Sequence, residues 1–319
     1  MDVEYRWTLL GLCAMTVALV APKIDLKPGQ RSSSGHREHS ASPTKDGQAQ
    51  ESRELMLDRS FDVTAGGMLS VNVGDGDVEV RSGSAGSAAV KVYVQARDMD
   101  WGREVFERMQ FAVGVEGDRV TVRARDANMR DYEWREQRGV GVLVQITVPE
   151  TFNLDVRTAD GDVDIGRVDG RVDIRTSDGD IVVGELRGPE VSIETSDGDV
   201  TAESLRAERI TVRTSDGDVN LSVSGNDTRI TTGDGDISLD LLTEGEVALH
   251  TGDGDITVYA SPALRADLEL HGGDVHVQSE IQIVGRIDRS GARGQLNGGG
   301  PLLVARTGDG TISIREARR

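Results

Sequence analysis

Thr176-Ser177-Asp178-Gly179-Asp180-Ile181 returns as Thr195-Ser196-Asp197-Gly198-Asp199-Val200 and again as Thr214-Ser215-Asp216-Gly217-Asp218-Val219. Looser forms of the phrase surround Gly161, Gly235, Gly254, Gly273 and Gly310. Successive glycines are 18, 19, 19, 18, 19 and 19 residues apart, then 37, which reads as two periods with one copy degraded. A fixed period of this size marks one structural unit stacked many times. Such a stack offers surfaces rather than a cleft, so the sequence speaks more of architecture than of ligand.

The columns of the repeat show what each unit is made of. Three residues before the glycine stand Thr158, Thr176, Thr195, Thr214, Thr232, Thr251 and Thr307, with Leu270 the exception. Aspartate flanks the glycine on both sides in nearly every copy, and a β-branched aliphatic residue follows. Around the turn, Val172, Ile174 and Thr176 alternate with Asp173 and Arg175, which is strand patterning with one buried face. Each unit thus reads as strand, Asp-Gly turn with a positive φ at the glycine, strand, and a looser bend such as residues 184–188.

An antiparallel meander and a parallel coil both fit this unit. The uniform Thr column favours the coil, because identical residues then stack on neighbouring strands about 4.8 Å apart. After Phe152 the only aromatic residue is Tyr259, so the interior must be aliphatic and narrow. The expected fold is all-β, a parallel β-solenoid of 18–19-residue coils over residues 151–319.

The rest of the chain divides into three parts. Residues 1–21 read as an export signal or membrane anchor, since Trp7 to Ala21 is an apolar run of signal-peptide length. Residues 22–54 are polar and too poor in apolar side chains to order themselves, so they read as a tether. Residues 55–150 read as β-rich first coils and a cap, with strands around Phe61, Leu69 to Val73, Val78 to Val80, Val90 to Val94, Val120 to Val122 and Val142 to Val148. One short helix is expected after an Asp100 cap, with Trp101, Val105 and Met109 on one stripe. Gly74-Asp75-Gly76-Asp77-Val78 is an early copy of the turn phrase, out of phase with the others.

Charge and cysteine narrow the function classes. Residues 1–55 carry seven acidic and seven basic side chains, so the net charge of −19 resides in the folded body. That argues against a nucleic-acid partner. Cys13 is the single cysteine and lies in the export segment, leaving neither a disulfide scaffold nor a cysteine nucleophile.

Candidate chemistry centres on the aspartates beside the turn glycines: Asp178, Asp180, Asp197, Asp199, Asp216, Asp218, Asp234, Asp236, Asp253 and Asp255. Stacked carboxylates suit a hard cation such as Ca²⁺. The calcium-roll phrase does not fit, because Ile237 stands where its aspartate belongs and the phrase comes once per coil. The competing reading makes the aspartates turn chemistry, with the second one solvated or paired with arginine. No Ser/His/Asp constellation is present. His271 and His276 flank one variant turn, and Asn297-Gly298-Gly299-Gly300 reads as a wide turn rather than a phosphate loop. A polysaccharide lyase of this architecture would need long inserted loops, and a hexapeptide acyltransferase an aliphatic residue every six positions. Glycan binding would have to use the aromatic residues Trp101, Tyr132 and Trp134 of the cap.

These columns, the Leu69 to Val80 strand pair, the Ile146-Thr147-Val148-Pro149 entry and the closing Thr307-Gly308-Asp309-Gly310-Thr311-Ile312 phrase resemble the bacterial putative-adhesin family of β-strand repeat proteins. The resemblance runs from about Phe61 to Ile314. It implies an exported or membrane-anchored solenoid, right-handed, with no catalytic residue to carry over and no cofactor. It further implies a non-enzymatic protein of the bacterial cell envelope that meets a protein or surface ligand, with membrane association through the N-terminal segment. Envelope-stress sensing, divalent-cation binding and a degenerate carbohydrate-active β-helix are the alternatives.

Overall fold

In a computed structural model of the chain, the structure describes residues 52–125, 139–278 and 283–317. The export segment and the tether up to residue 51 lie outside the described residues. In chain order the elements are β1 (Ser52–Asp62), β2 (Met68–Asn72), β3 (Asp77–Gly83), β4 (Ser87–Ala96), α1 (Met99–Met109), β5 (Ala112–Glu116), β6 (Arg119–Arg123) and β7 (Val140–Pro149). The repeats follow as β8 (Asn153–Arg157), β9 (Val163–Asp169), β10 (Val172–Arg175), β11 (Ile181–Glu194), β12 (Val200–Arg213), β13 (Val219–Thr231), β14 (Ile237–Leu241), β15 (Glu246–His250) and β16 (Ile256–Ala260). The chain closes with β17 (Ala266–His271), β18 (Asp274–Val277), β19 (Ile283–Asp288), β20 (Gly291–Leu296), β21 (Leu302–Arg306) and β22 (Thr311–Glu316).

The repeats pair in parallel, so the meander is excluded. Ile181 lies beside Val200 and Val163, and Val200 beside Val219. Equivalent residues therefore form columns, and the inward columns are aliphatic: Ile174, Ile193, Val212, Ile230 and Leu249 are all buried. The bend expected at residues 184–188 does not interrupt the strand. β11 runs through it, and Leu186, Arg187 and Gly188 pair with Leu205, Arg206 and Ala207. Glycine or alanine is needed at this corner because rungs approach closely: a Cβ on Gly188 would lie 2.7 Å from the Gly170 carbonyl carbon.

One inward position carries a hydroxyl where the column is otherwise aliphatic. Thr228 continues Val172, Val191 and Ile210, is 1% exposed, and its Oγ1 has no hydrogen-bond partner among the described residues. An unmade bond of this kind costs about 1–3 kcal/mol. Thr228→Val keeps the shape and removes the polar atom, so it is expected to raise the denaturant midpoint without changing the slope of the transition.

The order of rungs departs from the order of the chain at both ends. The β2–β3 rung stacks directly on β8 and β9, while β6 and β7 lie outside it. The early Gly74-Asp75-Gly76-Asp77 phrase is thus a full member of the column: Thr158 Oγ1 lies 3.0 Å from Gly74 O and 3.2 Å from Gly76 O. At the other end β21 and β22 lie between the β15–β16 rung and the β17–β18 rung. The 37-residue interval therefore holds no degraded copy. It holds the β19–β20 hairpin, which pairs antiparallel with β17, and the chain then returns to fill an inner place.

Antiparallel strands also finish the N-terminal end. β4 pairs with β7 and β1 with β4, and β5 pairs with β6. The helix α1 begins two residues earlier than the sequence suggests, because Asp98 is the cap and its side chain accepts from Asp100 N and Trp101 N. The expected stripe holds, with Trp101, Val105 and Met109 buried. Gly102 lets the helix lie close to β4: a Cβ there would come within 2.8 Å of Val94 Cγ1.

Candidate functional site

The Thr-Ser-Asp-Gly-Asp turns stack into one column, and its geometry shows what each residue type does. The turn glycines do not adopt a positive φ, contrary to the sequence expectation. They are required by proximity. A Cβ on Gly179, Gly198, Gly217, Gly235 or Gly254 would lie 2.5–2.6 Å from the carbonyl carbon of the preceding turn glycine, and closer still to its oxygen.

The threonine hydroxyl ties each turn to itself and to its neighbour. Thr251 Oγ1 accepts from Gly254 N at 3.2 Å and faces Gly235 O at 2.9 Å, and the residue is 0% exposed. The same bonds recur at Thr176, Thr195, Thr214, Thr232 and Thr307. Thr251→Val is expected to destabilise by about 1–3 kcal/mol, since it leaves a buried N–H and a buried carbonyl without this partner. Thr251→Ser should recover part of the loss. The same Thr→Val exchange therefore changes sign between position 228 and position 251, which chemical denaturation of the two variants checks.

The second aspartate of each turn forms a ladder. Its Oδ1 accepts the backbone N–H of the equivalent residue in the next rung: Asp180 N to Asp162, Asp199 N to Asp180, Asp218 N to Asp199, Asp236 N to Asp218 and Asp255 N to Asp236, at 2.7–2.9 Å. Thr311 N ends the ladder on Asp255, and Asp162 N begins it on Asp77. These carboxylates are exposed, as the solvated reading expects, and the ladder bond adds a backbone partner that the sequence did not announce. The first aspartates behave differently. Asp178, Asp197, Asp216, Asp234 and Asp253 are exposed, and their carboxylates make no bond or ion pair with described residues.

All ten aspartates proposed as cation ligands thus stand on one exposed column. Five are engaged through Oδ1 in the ladder and five are free. Among the described residues no group of three or more His, Cys, Asp or Glu side chains is placed to hold a metal ion. The free row repels itself, and any salt screens that repulsion. Calcium chloride and sodium chloride at equal ionic strength are therefore expected to raise the melting temperature equally. A saturable shift specific to Ca²⁺, lost on changing Asp197, Asp216 and Asp234 to Asn, would instead make the column a metal site.

Asp77 begins the ladder, and its titration is displaced. Burial pushes its carboxyl above the ordinary 3.8, the Asp162 carboxylate adds to this, and the hydrogen bond from Asp162 N opposes it. A raised carboxyl disfavours the charged native form, so the penalty is full at neutral pH and fades as pH falls through the folded value toward 3.8. Asp77→Asn, whose Oδ1 still accepts, is expected to raise the melting temperature at pH 7. The difference from the parent should vanish in acid, and a melting series over pH checks it.

The sheet faces carry ion pairs along the column direction. Arg171, Glu190, Arg209, Asp227 and Arg229 form one row, with contacts of 2.9, 4.0, 3.8 and 2.9 Å. Exposed pairs of this kind contribute about 0–1 kcal/mol each. Arg187 holds the Glu185 carboxyl below its ordinary value through a hydrogen bond. His276 stands 3.6 Å from Asp274, and His250 is exposed on β15. Asn297 and Gly298-Gly299 make the expected wide turn through three left-handed residues, with Asn297 Nδ2 donating to Pro262 O and Leu264 O at 2.7 Å.

The aromatic platform that glycan binding by the cap would need is not offered by Trp101, which is 7% exposed on the buried side of α1 with the Arg108 guanidinium over its ring. Tyr132 and Trp134 lie outside the described residues.

Several solved structures are similar to this chain. A putative adhesin from Bacteroides fragilis is 16% identical, with 82% of this chain and 97% of that one covered and a TM-score of 0.48. A putative adhesin from Parabacteroides distasonis is 13% identical, covering 84% and 98%, with a TM-score of 0.45. A putative lipid binding protein from the same species is 16% identical, covering 82% and 96%, with a TM-score of 0.47. Among curated proteins none matches. The Toastrack DUF4097 family model matches residues 67–315, the whole run from β2 to β22 save Glu316, and the chain belongs to that family.

Proposed function

We propose that this chain is a non-enzymatic protein of the bacterial cell envelope, exported on residues 1–21 or anchored by them, whose stack serves as an adhesin-like interaction or scaffold rod. We read the coil as right-handed, with 18–19 residues per turn. The observation that carries this reading is the use made of the repeated residues. Glycine gives room, threonine ties the turns, and the second aspartate bonds the next rung. What recurs is thus spent on stacking, and contact with a partner falls to the outward sheet faces and the free aspartate row.

A catalytic solenoid needs loops that wall a groove. Among the described residues the departure from regular rungs within 151–317 is the β19–β20 hairpin, and it pairs back onto β17. The partner is a protein or another surface ligand, met from the envelope by way of a tether that begins at residue 22 and ends before β1, which takes in residues 52–54 of the expected tether. Fractionation and protease shaving of bacteria expressing the full chain with a C-terminal tag test the reading. Recovery in the envelope fraction, with the tag lost on shaving or on outer-membrane release, is the expected result. A cytosolic chain of full mass would sink it.

A further inference from the structure

At the C-terminal end of the stack the outward face of β21, β17, β20 and β19 holds a depression of about 460 Å³. Its shape follows from register. Arg306, His271 and Gly291 are lateral neighbours, and Gly291 pairs with Asp288 on the far side. Glycine at the centre leaves the row without a side chain there. A Cβ on Gly291 would meet Asp288 Oδ1 at 3.8 Å and His271 Nδ1 at 4.0 Å, so both groups border the gap. The adjacent row runs Glu269, Arg293 and Arg286.

The arginines of this depression divide into paired and open ones. Arg293 is paired with Glu269 at 2.7 Å, and Asp288 Oδ1 accepts from Ser290 N. Arg286 and Arg306 line the depression and have no carboxylate partner among the described residues, although the chain has 55 acidic and 36 basic side chains. Each open guanidinium bordering the concavity presents its own planar fork of donors to an oxyanion. Glu269, Asp288 and His271 offer acceptors for hydroxyls around it. The volume lies in the range of small-molecule sites and exceeds what a bare ion fills.

We propose that this depression binds a short acidic saccharide, its carboxylates on Arg286 and Arg306 and its hydroxyls on Asp288, Glu269 and His271. Charged groups stand beside Leu270 and Ala292 in the lining, which suits the polar edges and apolar faces of a sugar ring. The site does not depend on where the chain is displayed, so failure of envelope localisation and failure of binding are separate results.

Calorimetric titration of the full chain with a galacturonate disaccharide tests it, beside the neutral disaccharide, inorganic phosphate and a glutamate-rich peptide. The expected result is saturable binding of the acidic disaccharide, weakened at least tenfold by Arg286→Ala and by Arg306→Ala, and no detectable binding of the neutral sugar. Both residues are exposed and without an ion pair among the described residues, so the variants should melt with the parent. The proposal falls if the acidic disaccharide does not bind at millimolar concentration or if the variants bind it unchanged. It also falls if phosphate or the peptide binds as tightly.

Discussion

Gly217→Ala is expected to cost about 4 kcal/mol or more, because the new methyl has nowhere to go. Its Cβ would stand 2.5 Å from the Gly198 carbonyl carbon, with Thr214 Oγ1 at 3.0 Å. Both obstacles are fixed: the carbonyl belongs to the backbone of the next rung, and the hydroxyl is held by its bonds to Gly217 N and Gly198 O. Relief requires the two rungs to part, which also strains the Asp218 to Asp199 ladder bond. In a linear stack each unit is stabilised by its neighbours, so a wedge at this place divides the body rather than loosening one turn. A melting temperature lowered by about 10 °C or more, with proteolysis near the 198–217 interface, is the expected observation. Gly114→Ala is the control, since a Cβ on that strand residue meets nothing within 4 Å and should change little. Equal behaviour of the two variants would refute the close-approach account.

Removing residues 301–319 is expected to do more damage than loss of a terminal rung. β21 and β22 occupy an inner place, between β15–β16 on one side and β17–β18 on the other. Leu303, Ile312 and Ile314 are at most 1% exposed, and burial of three such side chains contributes on the order of 5–9 kcal/mol. The truncation also strands β17, whose parallel partner is β21, and with it the β19–β20 hairpin that pairs on β17. Residues 261–300 should therefore become labile together, and hydrogen exchange should show protection lost back to β16. Retention of protection over residues 266–277 in the truncated chain would mean that β17 and β18 can stack directly on β15 and β16. The inner place would then be optional.

Much of this was legible in the residues. The period, the parallel stacking and the inward aliphatic columns followed from identical residues at fixed intervals, because a stack of equal rungs repeats its local environment. The helix stripe of Trp101, Val105 and Met109 was legible for the same reason, through its 3.6-residue period. The cap was placed two residues late, since Asp98 and Asp100 are both good caps and only the packing of α1 on β4 chooses between them. The glycines were read as positive-φ residues, which is the ordinary reason for Asp-Gly. Their actual role involves a carbonyl 18 or 19 residues away and has no local signature. The same holds for the second aspartate, whose partner is a backbone N–H on the next rung. Nothing in the neighbourhood of Gly291 along the chain announces the depression, because its walls come from four strands.

By itself the sequence determined the all-β class, the repeat unit and the inward columns beside the turn, since those depend on side-chain pattern within a few residues; the buried Leu186, Leu205 and Val223 column lay in what reads locally as a bend. Tertiary structure alone decided the order of rungs at the two ends. The strand pair of residues 68–83 and that of residues 302–316 carry the same turn chemistry as their neighbours, so any rung position would suit them locally. What selects the inner places is the closing of the ends. β7 pairs with β4 on its outer side and β17 with the hairpin, and strands so paired antiparallel cannot also serve as the middle of a parallel stack.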